Sequence, residues 1–275
     1  MTKYTMTYQQ ESEDRARRRT GVLDRTFAIL DCFTSDEPTL TLTQITRRTG
    51  LAASTTSRLL KSLCEHGALI RERSGGYSIG PRLMEIAQFA RPMLSIREAA
   101  SPILDDLNRT TDQHIQLGTL DGAEMVILDR REGKHPIPVY YHIGDRLPLA
   151  PTAAGRTLLA YAGPGIIGQI VNTGTFTWPT WQIPRPSSDE LMASLALIRQ
   201  RRVAVLQTPG ASVHSVAAPI FGRTNAVIAA VSIVLSAGST SLERYVPLIK
   251  AGATAISRRV TGPKTSRILP PWDQA

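Results

Sequence analysis

Residues 40 to 80, LTLTQITRRTGLAASTTSRLLKSLCEHGALIRERSGGYSIG, constrain the fold more than any other stretch of the chain. Leu42, Ile45 and the aliphatic part of Thr46 mark the inward side of a short helix. Thr49-Gly50-Leu51 then turns the chain, because glycine best takes the positive φ that ends a helix. A second helix is expected from about Ser54, with Leu59, Leu60 and Leu63 on its apolar side and Thr55, Arg58, Lys61 and Ser62 opposite. After Gly67, ALIRER and GYSIG alternate apolar and polar residues about Ser74-Gly75-Gly76, and Gly-Gly suits a tight hairpin because both residues can take φ above zero. Helix, turn, helix and basic hairpin in that order predict a winged helix-turn-helix with its second helix in the major groove. The residues set to meet DNA are Thr43, Arg47, Ser54, Thr55, Thr56, Ser57, Arg58 and Lys61, with Arg71 and Arg73 on the wing. Two helices about a glycine corner also occur in many all-α domains, and a charged helix face is usually only solvated. The hairpin that follows, with basic residues on both elements that would face a duplex, separates the two readings.

The charge distribution agrees. The chain of 275 residues is long enough for two compact domains and carries a formal net charge of +9. Between Arg15 and Arg82 stand twelve basic and six acidic residues, so +6 of the total lies in a quarter of the sequence. The two cysteines, Cys32 and Cys64, have apolar neighbours and read as small core residues in a reducing compartment. The longest apolar run, AVIAAVSIVL at 226–235, is about half of what a bilayer needs and is rich in β-branched residues. It reads as a buried strand. The first twenty residues lack the apolar core of a signal peptide and read as a disordered basic arm. A cytoplasmic protein is expected.

The rest of the chain has the texture of a second domain. LDRTFAILDCF precedes the motif as a helix burying Leu23, Phe27, Ile29, Leu30 and Phe33. Pro81 opens a linker helix over 81–96, with Leu83, Ile86, Ala87 and Phe89 as an apolar stripe that needs a partner. Ser101-Pro102 starts another helix. HIQLGTL and EMVILDR read as a hairpin about Asp121-Gly122. Helices TAAGRTLLAYA and 165–171 follow, then a Trp/Pro-rich connection through Trp178 to Pro186, and Ser187 to Glu190 cap helix ELMASLALIRQR. Strands VAVLQ, VHSVAAPIF and AVIAAVSIVL and a helix over 241–260 complete an α+β domain, an antiparallel sheet flanked by helices. The expected boundaries are a winged helix-turn-helix at 21–80, a linker helix at 81–96, a sensor-like domain at 97–262 and a tail at 263–275.

With these motifs in hand, the chain resembles the IclR family of bacterial transcription regulators from about Gly21 to Val260. The resemblance rests on LDRTFAILDCF, LTLTQITRRTGLAASTTSRLLKSL, YSIGPRLMEIA, IGDRLPLAPTAAGRTLLA and SVAAPIF. It implies an N-terminal winged helix-turn-helix, a linker helix and a C-terminal effector-binding domain similar to GAF domains. It also implies homodimers or dimers of dimers on palindromic double-stranded DNA operators. The family's effector pocket falls on Leu147, Ala153, Ala154, Val213, Ser215 and Ser232. Small residues at a helix N-terminus leave N–H groups free for a carboxylate, and two hydroxyls can orient it, so an acid is the implied effector. The same small residues also suit plain helix-sheet packing. The chain departs from the family at Ala53, where a basic residue is usual, at Leu206-Gln207-Thr208, where an acidic stretch is usual, and at Ser215, where cysteine is common.

Signatures of catalysis are incomplete. GPGIIG at 163–168 follows a helical pattern where a dinucleotide fingerprint needs a strand, and reads as a helix-ending turn. GASVH at 210–214 lacks the second glycine of a nucleophile elbow. The five histidines show neither an i, i+4 pair nor companion ligands, so no metal or other cofactor is expected. A ligand-responsive transcription regulator is therefore the leading expectation. The alternatives are an α+β enzyme acting on a small acid through the same pocket, and an architectural DNA-binding protein without sequence preference.

Overall fold

The computed structural model describes residues 21–262 apart from 35, 136, 138–140, 172–184, 208–212 and 237–240. The expected arm, the expected tail and most of the Trp/Pro-rich connection lie outside the described residues. The chain divides between Arg91 and Pro92 into two compact units.

The N-terminal unit contains α1 (Val22–Leu30), β1 (Thr39–Leu40), α2 (Leu42–Thr49), α3 (Ala53–Glu65), β2 (Leu69–Arg71), β3 (Tyr77–Ile79) and α4 (Pro81–Ala87). Thr41 starts α2 with a reciprocal cap: its N–H donates to Gln44 Oε1 at 2.8 Å, and Gln44 N–H donates to Thr41 Oγ1 at 3.3 Å. Gly50 ends the helix at φ 66°. On α3 the buried residues are Thr56, Leu59, Leu60 and Leu63, spaced i, i+3, i+4, i+7. They pack with Ile29, Leu40, Ile45 and Leu69 into one core.

Four expectations for this unit need correction. Leu23 and Phe27 on α1 are exposed, and Ile29 is the residue of that helix that enters the core. The hairpin gains a third strand, β1, in the order β1-β3-β2. A two-residue strand gives too short an alternation to read from sequence. In the hairpin turn only Gly75 has positive φ, at 85°. Gly76 serves packing, because a Cβ there would lie 2.6 Å from Thr39 Cγ2. The linker does not continue as one helix over 81–96: α4 ends at Ala87 and the next helix starts at Arg91. On α4, Leu83 turns to the unit's core and Met84 and Ile86 stand exposed, Met84 at 81%; Phe89, just past the helix end, is exposed too.

The C-terminal unit is organised around one sheet. Its elements are α5 (Arg91–Thr111, whose first residue lies across the division), β4 (His114–Asp121), β5 (Glu124–Arg131), β6 (Arg146–Pro148), α6 (Ala153–Ala160), α7 (Pro164–Val171), α8 (Ser188–Arg201), β7 (Ala204–Leu206), β8 (Val213–Phe221), β9 (Val227–Ser236), a 3-10 turn (Leu242–Tyr245) and α9 (Val246–Thr261). The six strands run in the order β6-β5-β4-β9-β8-β7, every pair antiparallel. Strand alternation sends Val216, Ala218, Val231 and Ile233 to one face, against α5 and α9. It sends Ala217, Ala230, Met125 and Leu147 to the other, against α6, α7 and α8. The run expected as a buried strand is β9.

Two further expectations change here. Pro102 does not start a helix; it sits within the 21-residue α5. Pro102 is exposed, so water can satisfy the carbonyl its ring leaves unpaired, while Ile96, Ala100, Leu104 and Leu107 run through as an unbroken buried stripe. GPGIIG opens α7 instead of ending α6, with Ile166 and Ile167 N–H donating to the Gly163 carbonyl. No helix of the described residues is long and apolar enough to cross a membrane.

Candidate functional site

Each unit carries its own candidate surface. On the N-terminal unit, Thr43 and Arg47 of α2, Ser54, Ser57, Arg58 and Lys61 of α3, and Arg71 and Arg73 of the wing are exposed, and Thr55 is half-buried. Thr56 is the exception and a correction: it is 0% exposed, and its hydroxyl donates to the Ala52 carbonyl at 3.2 Å. Its methyl completes the Leu59, Leu60, Leu63 stripe, a placement that counting threonine as polar conceals. Lys61 pairs loosely with Glu65 at 3.9 Å. Among the described residues Arg47, Arg58, Arg71 and Arg73 make no ion pair. Arg48 is engaged inside the unit: Nη1 donates to the Cys32 carbonyl at 2.9 Å and Nη2 reaches Glu37. It is therefore less free for phosphate than Arg47. Ala52 gives α3 no side-chain cap, so the first turn keeps open N–H groups beside the exposed hydroxyls.

Cys32 lies beneath this surface. Burial pushes its thiol up to about 11 and the nearby Arg48 pulls it back only in part, so at neutral pH it is a protonated, inert core group.

In the C-terminal unit the candidate pocket lies on the sheet face that meets α6. Leu147, Ala153 and Ala154 join Ala217 and Ala230 in one buried cluster. By alternation Val213, Ser215 and Ala217 of β8 share that face, and Ser232 pairs directly with Ala217. Ser232 is 1% exposed and its Oγ has no hydrogen-bond partner. A buried orphan hydroxyl is costly, which makes it a position where a ligand's polar atom would be stabilising. The N-terminus of α6 supplies a second unsatisfied feature. Thr152 Oγ1 accepts from Gly155 N–H at 2.9 Å, while no hydrogen bond from Ala153 or Ala154 N–H is present among the described residues. Gly155 permits this geometry, because a Cβ at that position would fall 2.3 Å from the Leu149 carbonyl oxygen.

The register adds residues that the sequence reading missed. Ala204, Ala217, Ser232, Gln116 and Arg130 form one row across β7, β8, β9, β4 and β5. Arg130 is held by Glu132 at 3.0 Å and by the Tyr141 carbonyl. Nothing local marks Gln116 as a neighbour of Ser232, since the two meet only through strand pairing. Among the described residues no group of three His, Cys, Asp or Glu side chains is arranged to hold a metal ion.

Comparison with known proteins bears on both surfaces. The family model for the IclR helix-turn-helix domain matches residues 22–73, and that for the C-terminal domain of bacterial transcriptional regulator IclR matches residues 89–258. The chain is 34% identical to the HTH-type transcriptional regulator XynR of Escherichia coli over 213 residues, 77% of this chain and 84% of that protein. It is 26% identical to the HTH-type transcriptional regulator KdgR of the same organism over 241 residues, 86% of this chain and 91% of KdgR. Among solved structures, an IclR homolog of Microbacterium hydrocarbonoxydans complexed with 4-hydroxybenzoate superposes with a TM-score of 0.78 at 25% identity, covering 87% of this chain and 99% of that one.

Proposed function

The chain belongs to the IclR family of bacterial transcriptional regulators, and from that premise we propose that it binds a palindromic operator as a homodimer or dimer of dimers and releases or tightens its hold when a small carboxylate enters the C-terminal unit. The observation that carries the effector half is the coincidence on one sheet face of Ser232 Oγ, buried without a partner, and a helix start whose Ala153 and Ala154 N–H groups are unclaimed. A carboxylate satisfies both, with Leu147 and Val213 as apolar wall and Ser215 as a second hydroxyl. On the DNA half, Arg58, Ser54 and Ser57 of α3 read base edges, and the open first turn of α3 takes a backbone phosphate in place of the basic residue that Ala53 lacks. Thr43, Thr55, Arg47 and Lys61 support them, and Arg71 and Arg73 hold the flanking backbone. Exposed Leu23, Phe27, Met84, Ile86 and Phe89 in the N-terminal unit supply apolar surface for the partner copy. Acting on promoter DNA, the protein works in the cytoplasm, and its role includes no chemical turnover.

The 4-hydroxybenzoate held by the Microbacterium homolog makes that acid the first probe. Calorimetry with 4-hydroxybenzoate and a panel of keto and aromatic monocarboxylic acids is expected to find one that saturates at one ligand per chain. Gel-shift titration with it should move operator affinity by about 5- to 150-fold. Ala154→Leu fills the cradle and abolishes that response. If Ala154→Leu binds the acid as tightly as the parent, the pocket lies elsewhere.

A further inference from the structure

A cavity of about 460 Å³ lies at the free edge of β7, walled by α6, α8, β7, the 3-10 turn and α9, and of the residues placed on the effector-pocket face it shares Ala204 alone. Its size suits a small molecule. Three cations from three helices line it: Arg156 of α6, Arg201 of α8 and Lys250 of α9, against one carboxylate, Glu243. None of these four makes an ion pair among the described residues.

Arg156 is the telling member. Its Nε donates to the Ala150 carbonyl at 2.6 Å and its Nη1 reaches Ser194 Oγ at 3.5 Å, while Nη2 has no partner among the described residues. Burial pulls its pKa below the ordinary arginine value, the mark of a guanidinium taken from water without a carboxylate in exchange. Arginine at such a place is stabilised by an anion that presents two oxygens to its fork. Leu197, Val205 and Val246 supply apolar wall around the charges. We infer that this groove is a second ligand site, for an organic dianion with an apolar body. Surplus positive charge sets the ligand's charge, and the aliphatic wall sets its body.

The test uses the full chain and phthalate, a ring bearing two carboxylates, beside phthalamide, which has the same frame without charge. Titration calorimetry is expected to show saturable phthalate binding that weakens with added salt, and none for phthalamide. Arg201 and Lys250 are exposed, so Arg201→Gln with Lys250→Gln leaves the core intact, and phthalate binding should weaken by about tenfold for each charge removed. Absence of saturable phthalate binding overturns the inference, as does binding that the double variant leaves unchanged. If the double variant instead alters the mass measured by light scattering, the groove belongs to a second copy of the chain and the ligand site is rejected.

Discussion

In the N-terminal unit the residues assigned to function stand in solvent, whereas in the C-terminal unit they are mostly buried. Arg58, Arg71 and Arg73 project from a small core that would pack just as well without them. Ser232, Ala153 and Ala154 are themselves part of the interior. A DNA-reading surface meets a rigid, hydrated polyanion and works by charge and reach. A small-ligand site must exclude water and gains its strength from dipoles left unsatisfied in a low-dielectric interior. Function and stability should therefore separate cleanly under mutation in the first unit and remain entangled in the second.

The strongest way to break that comparison is to attack the core of the N-terminal unit. Leu60→Ala, at a fully buried position, should cost about 2–5 kcal/mol of that unit's stability and remove operator binding, while calorimetry still finds the effector bound. Loss of effector binding as well would show that the units unfold as one. Next in size is Arg58→Ala, expected to lose about 1–3 kcal/mol of operator affinity in gel-shift titration with no change in melting temperature. Arg73→Ala acts differently: binding weakens on every sequence alike, and the slope of log affinity against log salt falls by about one unit. The smallest effect is expected at Thr56. Thr56→Val keeps the volume and removes one hydroxyl, so stability should move by about 1 kcal/mol or less and footprints should stay the same. A changed footprint would return Thr56 to the DNA surface.

How legible each region was follows from the range of its interactions. The helix-turn-helix could be read directly because its signals are local: the stripe on α3, Gly50 at the corner and the basic hairpin all lie within about forty residues. Within that range the differences from the pattern lie at side chains with two characters. Thr56 counts as polar by its hydroxyl and is buried by its methyl. Leu23 and Phe27 read as core but face outward, while Ile29 and, in part, Leu30 of that helix fill the interior of the small unit. Pro102 reads as a helix start because proline removes a hydrogen bond that a first turn does not need, but on the solvent side of α5 the buried stripe outweighs that loss. In the sheet, five of the six strands can be named and the three-residue β6 is too short to read, while the row joining Gln116, Arg130 and Ser232 depends on pairings between β4, β5 and β9 that no local pattern encodes. The resemblance supplied Ser232 and could not supply Gln116.

The tight seat of Gly155 against Leu149, with Thr152 fastening the same turn, has a kinetic consequence. The amides of Ala153 and Ala154 are aimed before any ligand arrives, so in the proposed pocket this turn need not rearrange to receive an acid. Encounter should then proceed in a single exponential phase whose rate rises linearly with ligand concentration, limited by passage into the interior. Discrimination between one acid and another would appear almost wholly as residence time.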